Sequence, residues 1–141
     1  MLSPFSCGLL STFSSLSGGA LMAFAFEKLL VYQKAIDFSD AVCAKSECFP
    51  RDYGFPTDQL NRAALSIPAN IAEGNGRFTK PDRRNSFGIA RGFRPGVCSP
   101  LELARRRGLL EPADHAVLKS QVEEIARMLS GLISGLDTRE R

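Results

Sequence analysis

An all-α domain, an antiparallel up-down-up-down four-helix bundle, is the fold this sequence predicts, and three observations predict it. Leu118, Val122, Ile125, Leu129, Leu132 and Leu136 recur at spacings of four, three, four, three and four, the seam of a helix packed lengthwise against other helices. Leu60, Ala64, Ile67 and Ile71 keep helical spacing on both sides of Pro68, so a helix is wanted through a residue that lacks an N–H and crowds the carbonyl of Ala64. A bend of the helix axis is expected there. The stretches between helical patterns are short, which makes successive helices antiparallel neighbours. At 141 residues the chain fits one domain with a continuous core.

The bundle domain is expected over residues 23–141. Met1 to Met22 carry no charged side chain and are rich in Ser, Gly, Leu and Phe. A secretory signal needs a basic residue ahead of its apolar run, and a membrane span needs that run uninterrupted. The segment has neither, so residues 1–22 are expected to be a disordered tail or a start-site artefact, with translation beginning at Met22. No membrane partner is expected.

The first helix is expected from about Glu27 to Glu47, with Leu29, Tyr32, Ile36, Ser39 and Cys43 as its inward stripe and Phe49-Pro50 ending it. The second is expected from about Thr57 to Glu73, its end marked by Gly74 and Gly76. Thr79 is placed as the N-cap of the third, with Pro81 and Asp82 in a first turn that suits both proline geometry and the helix dipole. The fourth starts near Pro112 behind an acidic first turn, and Gly108 closes the helix before it.

The third helix contains a conflict. Phe93-Arg94-Pro95-Gly96-Val97-Cys98-Ser99-Pro100 puts two prolines and a glycine into a segment that should remain helical, and proline costs roughly 3 kcal/mol in a helix interior. A break near Pro95–Pro100 is expected. Either the helix is broken by a functional loop, or a compensated frameshift has garbled a short block and left both flanks intact.

Candidate chemistry is sparse. His115 is the only histidine and stands beside Asp114 with no third group to complete a catalytic set, so a surface histidine is expected. Glu-x-x-His pairs of di-metal bundles are absent, and Gly74-x-Gly76 lacks the strand and the Gly-Lys-Ser/Thr ending of a phosphate loop. No metal, cofactor or enzymatic activity is expected. Cys7, Cys43, Cys48 and Cys98 show no Cys-x-x-Cys pair, and Cys43 and Cys48 read as buried or half-buried thiols suited to a reducing cytoplasm. Near the proline, Asn70 is expected to donate to the freed Ala64 carbonyl, and Glu73 to reach Arg77 four residues on or a backbone N–H. Pro68, Asn70, Glu73 and Gly74 therefore read as a structural motif.

Charge is the best functional lead. The net charge of +3 decides nothing as a total, but residues 77–107 hold nine basic side chains against Asp82 and Glu102, a local +7, and the rest of the chain carries −4. Lys80, Arg83, Arg84, Arg91, Arg94, Arg105, Arg106 and Arg107 are the candidate nucleic-acid-binding residues, with Arg83–Arg84 and Arg91 two turns apart and able to share a face. Aromatic interleaving of the RNA-recognition type is not evident.

The stretch from Arg62 to Arg77, together with Val31-Tyr32-Gln33-Lys34-Ala35 and Ile89-Ala90-Arg91-Gly92, resembles the four-helix-bundle family first met as products of intervening sequences in bacterial 23S ribosomal RNA genes, the S23 type. The resemblance implies a homo-oligomer, a pentameric ring of bundles, with no enzymatic role. Related proteins of the same fold serve as accessory determinants of diversity-generating retroelements, where a positively charged pentamer partners a reverse transcriptase and nucleic acid. The expectation is a bacterial, cytoplasmic accessory protein that binds RNA or DNA phosphates. The alternative is a protein-interaction scaffold.

Overall fold

The computed structural model describes the backbone of residues 19–139 and the side chains of residues 25–137. Of the segment expected to be a tail or start-site artefact, residues 1–18 lie outside the described residues. The described chain is helical with no strand: α1 (Gly19–Ser46), a 3-10 turn (Arg51–Tyr53), α2 (Gly54–Asn75), α3 (Lys80–Gly92), α4 (Arg94–Arg106) and α5 (Pro112–Arg139). Together α3 and α4 act as one interrupted rod, so four rods form the bundle. Each rod packs on its neighbours in a closed order: α1 on α2 and α5, and the α3–α4 rod on α2 and α5.

The seam of α5 is buried throughout, from Leu118 to Leu136, and so are Leu60, Ala64, Ile67 and Ile71 of α2. The inward stripe of α1 is different from the one expected. Val31, Ala35, Phe38 and Val42 are buried, whereas Ile36 and Cys43 are exposed. The two stripes differ by one position, about 100° of rotation, and both have three-four spacing. Phe38 inward buries a wholly apolar ring, while Tyr32 of the expected stripe is half-buried, and Ser39 at the stripe's edge stays buried with a partner.

That partner corrects the expectation at Pro68. The helix α2 runs through Pro68 without interruption, and the Ala64 carbonyl, which Pro68 leaves without its helical donor, accepts from Ser39 Oγ of α1 at 2.8 Å. Asn70 instead donates to the carbonyl of Ser66, its own i−4 position, at 2.8 Å. Six residues past Ala64 and half-buried, the amide bonds its own preceding turn, while the Ser39 hydroxyl reaches across from the facing helix. Glu73 does reach Arg77, at 2.5 Å.

Gly74 lies inside α2, which ends two residues later than expected, at Asn75. A Cβ on Gly74 would stand 2.7 Å from Phe87 Cε1 and 3.2 Å from Ser86 Cβ. Close approach of α2 to α3 is what requires glycine here. Helix α3 opens as expected, with Thr79 accepting from the Asp82 N–H.

The expected break near Pro95–Pro100 is reduced to one residue, Phe93, whose backbone stays right-handed at φ −81 and ψ −6. Pro95 sits in the first turn of α4, where its missing N–H costs no helical bond. Pro100 lies inside α4, and the i−4 carbonyl it orphans belongs to exposed Gly96, open to water. The penalty applied to an interior proline therefore overstated the conflict. At the far end Gly108, with φ +75, closes a Schellman turn: Gly108 N–H donates to Arg105 and Leu109 N–H to Ala104.

Residue pairs across the rods run in opposite sequence order. Lys34 pairs with Glu124 and Lys45 with Asp114 between α1 and α5; Ser39 meets Ala64 and Ser46 meets Asn61 between α1 and α2. From the third rod, Arg84 pairs with Asp137, Arg91 bonds Ser130, Arg94 pairs with Glu123 and Glu102 meets His115.

Candidate nucleic-acid interface

The eight basic residues do not form one patch. Arg84, Arg91 and Arg94 reach across to α5, where they meet Asp137, Ser130 Oγ at 3.1 Å and Glu123 at 2.9 Å. Arg105 and Arg106 turn onto Glu102 of their own helix, at 2.6 and 2.9 Å, and Glu102 in turn stands 3.5 Å from His115 Nε2 of α5. These five follow the seam between the α3–α4 rod and α5. The other three lie off it. Arg83 donates to the Arg77 carbonyl at 2.8 Å, Lys80 is half-buried in the first turn of α3, and Arg107 stacks over Tyr53 at 5.8 Å and donates to its hydroxyl. Arg83 and Arg91 therefore do not share a working face; Arg84 and Arg91, seven apart, do.

Two members of the seam were missed. Arg127 and Lys119 of α5 are exposed, with no carboxylate partner among the described residues. A signal for them existed. Lys119, Glu123, Arg127, Ser130, Ser134 and Asp137 repeat at four, four, three, four and three, a polar stripe beside the leucine seam.

Two grooves open along this line. One, of about 530 Å³, is lined by Gly88, Arg91, Gly92, Arg94, Glu123 and Arg127 among others. The second, of about 570 Å³, is lined by Glu102, Arg106, His115 and Lys119 with Cys98. Gly88 and Gly92 have no packing reason to be glycine, since a Cβ on either would meet nothing within 4 Å and neither has a positive φ. Inside α3, Gly88 lowers helix stability by about 1 kcal/mol relative to alanine. The effect of the two glycines is to keep the first groove open.

Electrostatics follow from the same contacts. Hydrogen bonds from Arg105 and Arg106 hold the Glu102 carboxyl at about 2, well below the usual carboxylate range. Burial, with the Glu123 carboxylate beside it, pushes the Cys98 thiol up despite Arg94 and Lys119. Lys28 is lowered by burial and then by Arg83. His115 is no surface histidine: its side chain is 12% exposed, covered where α4 ends against α5. Cys43 and Cys48 are exposed, against the buried or half-buried reading: Cys43 because the inward face of α1 is the adjacent stripe, and Cys48 because it lies in the turn beyond α1.

A family model of the 23S rRNA-intervening sequence protein matches residues 27–131, most of the chain and all four rods. The chain belongs to the 23S rRNA-intervening sequence protein family. A crystal structure of a protein of unknown function from the S23 ribosomal protein family of Bacteroides thetaiotaomicron VPI-5482 superimposes with a TM-score of 0.71 at 21% identity, over 77% of this chain and 98% of that one. At that identity the likeness concerns the fold. No curated protein matches the chain. Among the described residues of this family member, no three His, Cys, Asp or Glu side chains gather to hold a metal, and no helix is long and apolar enough to cross a membrane.

Proposed function

We propose that this protein is a non-enzymatic accessory protein that binds the phosphate backbone of RNA or DNA along the seam between the α3–α4 rod and α5. One observation carries the reading. Arg84, Arg91, Arg94, Arg106, Lys119 and Arg127 lie along a single line whose length, from Arg84 to Arg106, is about 33 Å at 1.5 Å per helical residue. With Arg105 paired to Glu102 as well, Asp137, Glu123 and Glu102 on the same line leave four cations in excess and hold the arginines extended across the seam. Such a row offers positively charged donors to successive phosphates without reading bases.

In this reading the rods alternate up-down-up-down, supported by the opposite order of their cross-rod pairs, so the seam runs between two antiparallel rods. The protein works as a homo-oligomer in the bacterial cytoplasm. Self-association is supported by the exposed Phe26, Leu30 and Ile36 on one side of α1, a pentameric count by the family likeness, and a reducing compartment by the exposed Cys43 and Cys48 thiols.

Charge reversal at two seam residues, Arg84→Glu with Arg91→Glu, is expected to weaken binding to a structured RNA at least tenfold. Arg107→Glu, off the seam, is expected to change it less than twofold. Equal losses from both would overturn the seam. A scaffold that docks another protein on the apolar side of α1 is the second reading, and a pull-down that recovers a protein unchanged by nuclease would favour it.

A further inference from the structure

The groove that Arg91, Arg94 and Arg127 line has the Arg94–Glu123 bridge in its wall, and the Arg84–Asp137 bridge crosses the seam farther toward the start of α3. We propose that this groove binds a phosphate monoester dianion, presented by the terminal phosphate of a nucleic-acid strand or by a free nucleoside monophosphate. For the strand, the proposal rests on the seam reading above, which accounts for the remaining phosphates.

Charge, donors and space agree. Three guanidiniums against the single Glu123 carboxylate leave +2, the complement of a dianion, whereas an internal diester would leave half of that unmatched. Arg91 spends one N–H on Ser130 Oγ and Arg94 one on Glu123, so most of their five donors each, and those of Arg127, remain for a ligand. Gly88 and Gly92 open the wall of the groove although neither packing nor backbone conformation asks for glycine there. The volume of about 530 Å³ is that of a small-molecule site.

Three forms of one oligonucleotide, ending in 5′-phosphate, 3′-phosphate or hydroxyls only, are compared by fluorescence anisotropy at one ionic strength, and adenosine monophosphate is titrated by calorimetry. A phosphorylated end is expected to bind about tenfold or more tighter than the hydroxyl form. Arg127→Ala should remove that preference and Glu123→Gln should enlarge it. Gly88→Leu fills the groove with a better helix former, so it should keep or raise Tm and retain hydroxyl-strand binding while losing the preference. Adenosine monophosphate binding that Gly88→Leu abolishes assigns the free nucleotide as a ligand; a strand-end preference without it assigns the chain end. Equal affinities for all three strands with no nucleotide binding would overturn the groove and leave the seam reading standing. Loss of strand binding with the nucleotide still held would do the reverse.

Discussion

Ser39 supports Pro68 from another helix. Its hydroxyl replaces the donor that the proline removed from the Ala64 carbonyl, inside the core where water cannot substitute. Ser39→Ala should lower stability by about 1–3 kcal/mol in urea unfolding, the cost of stranding that buried carbonyl; a neutral result would mean the carbonyl finds another donor. Nothing in the sequence near Pro68 identifies Ser39, because the bond spans 25 positions and depends on how α1 is rotated. Asn70, the local candidate, was the natural choice from spacing and was wrong. Glu102 is the other residue whose role is fixed by its neighbours. Its carboxyl is depressed from 4.5 to about 2, so the stabilisation it gives is complete above 4.5 and fades as pH falls toward 2. Thermal melts across that window should show the wild type losing more of its stability than Glu102→Gln, which has no such charge to lose. Parallel pH profiles would contradict the assignment.

At the level of elements, legibility followed the strength of the apolar contrast. The α5 stripe has leucines and β-branched residues at every inward position and polar residues beside them, so only one face could be buried. On α1 two adjacent stripes are nearly as apolar as each other, and the choice between them depends on the partners, above all on where Phe38 fits. The proline-rich block was misjudged for a different reason: a proline in a first turn loses no bond, and whether a position is first turn or interior is set by where Phe93 interrupts the rod. Gly74 was marked in the sequence, but as a helix end. Its contact with Phe87 locks α2 to α3, and Gly74→Ala should destabilise by about 1–3 kcal/mol because a fully buried ring must move. A measured gain, the usual result of replacing an unconstrained helical glycine, would show that the two helices can separate slightly at no cost.

Across the whole molecule, the basic stretch was visible as composition but its division was not. Which arginines turn toward α5 and which fold back on Arg77 or Tyr53 is decided by helix rotation and by the acids of α5, more than 25 residues away in sequence. The seam that results draws from two rods, and Arg127 and Lys119 join it only in three dimensions. The most direct test of this seam as a polyanion surface is the salt dependence of binding to a structured RNA, measured for the intact protein. With four cations in excess, log K against log salt is expected to fall with a slope of about −3 to −4. A slope near zero, with binding retained, would contradict the account.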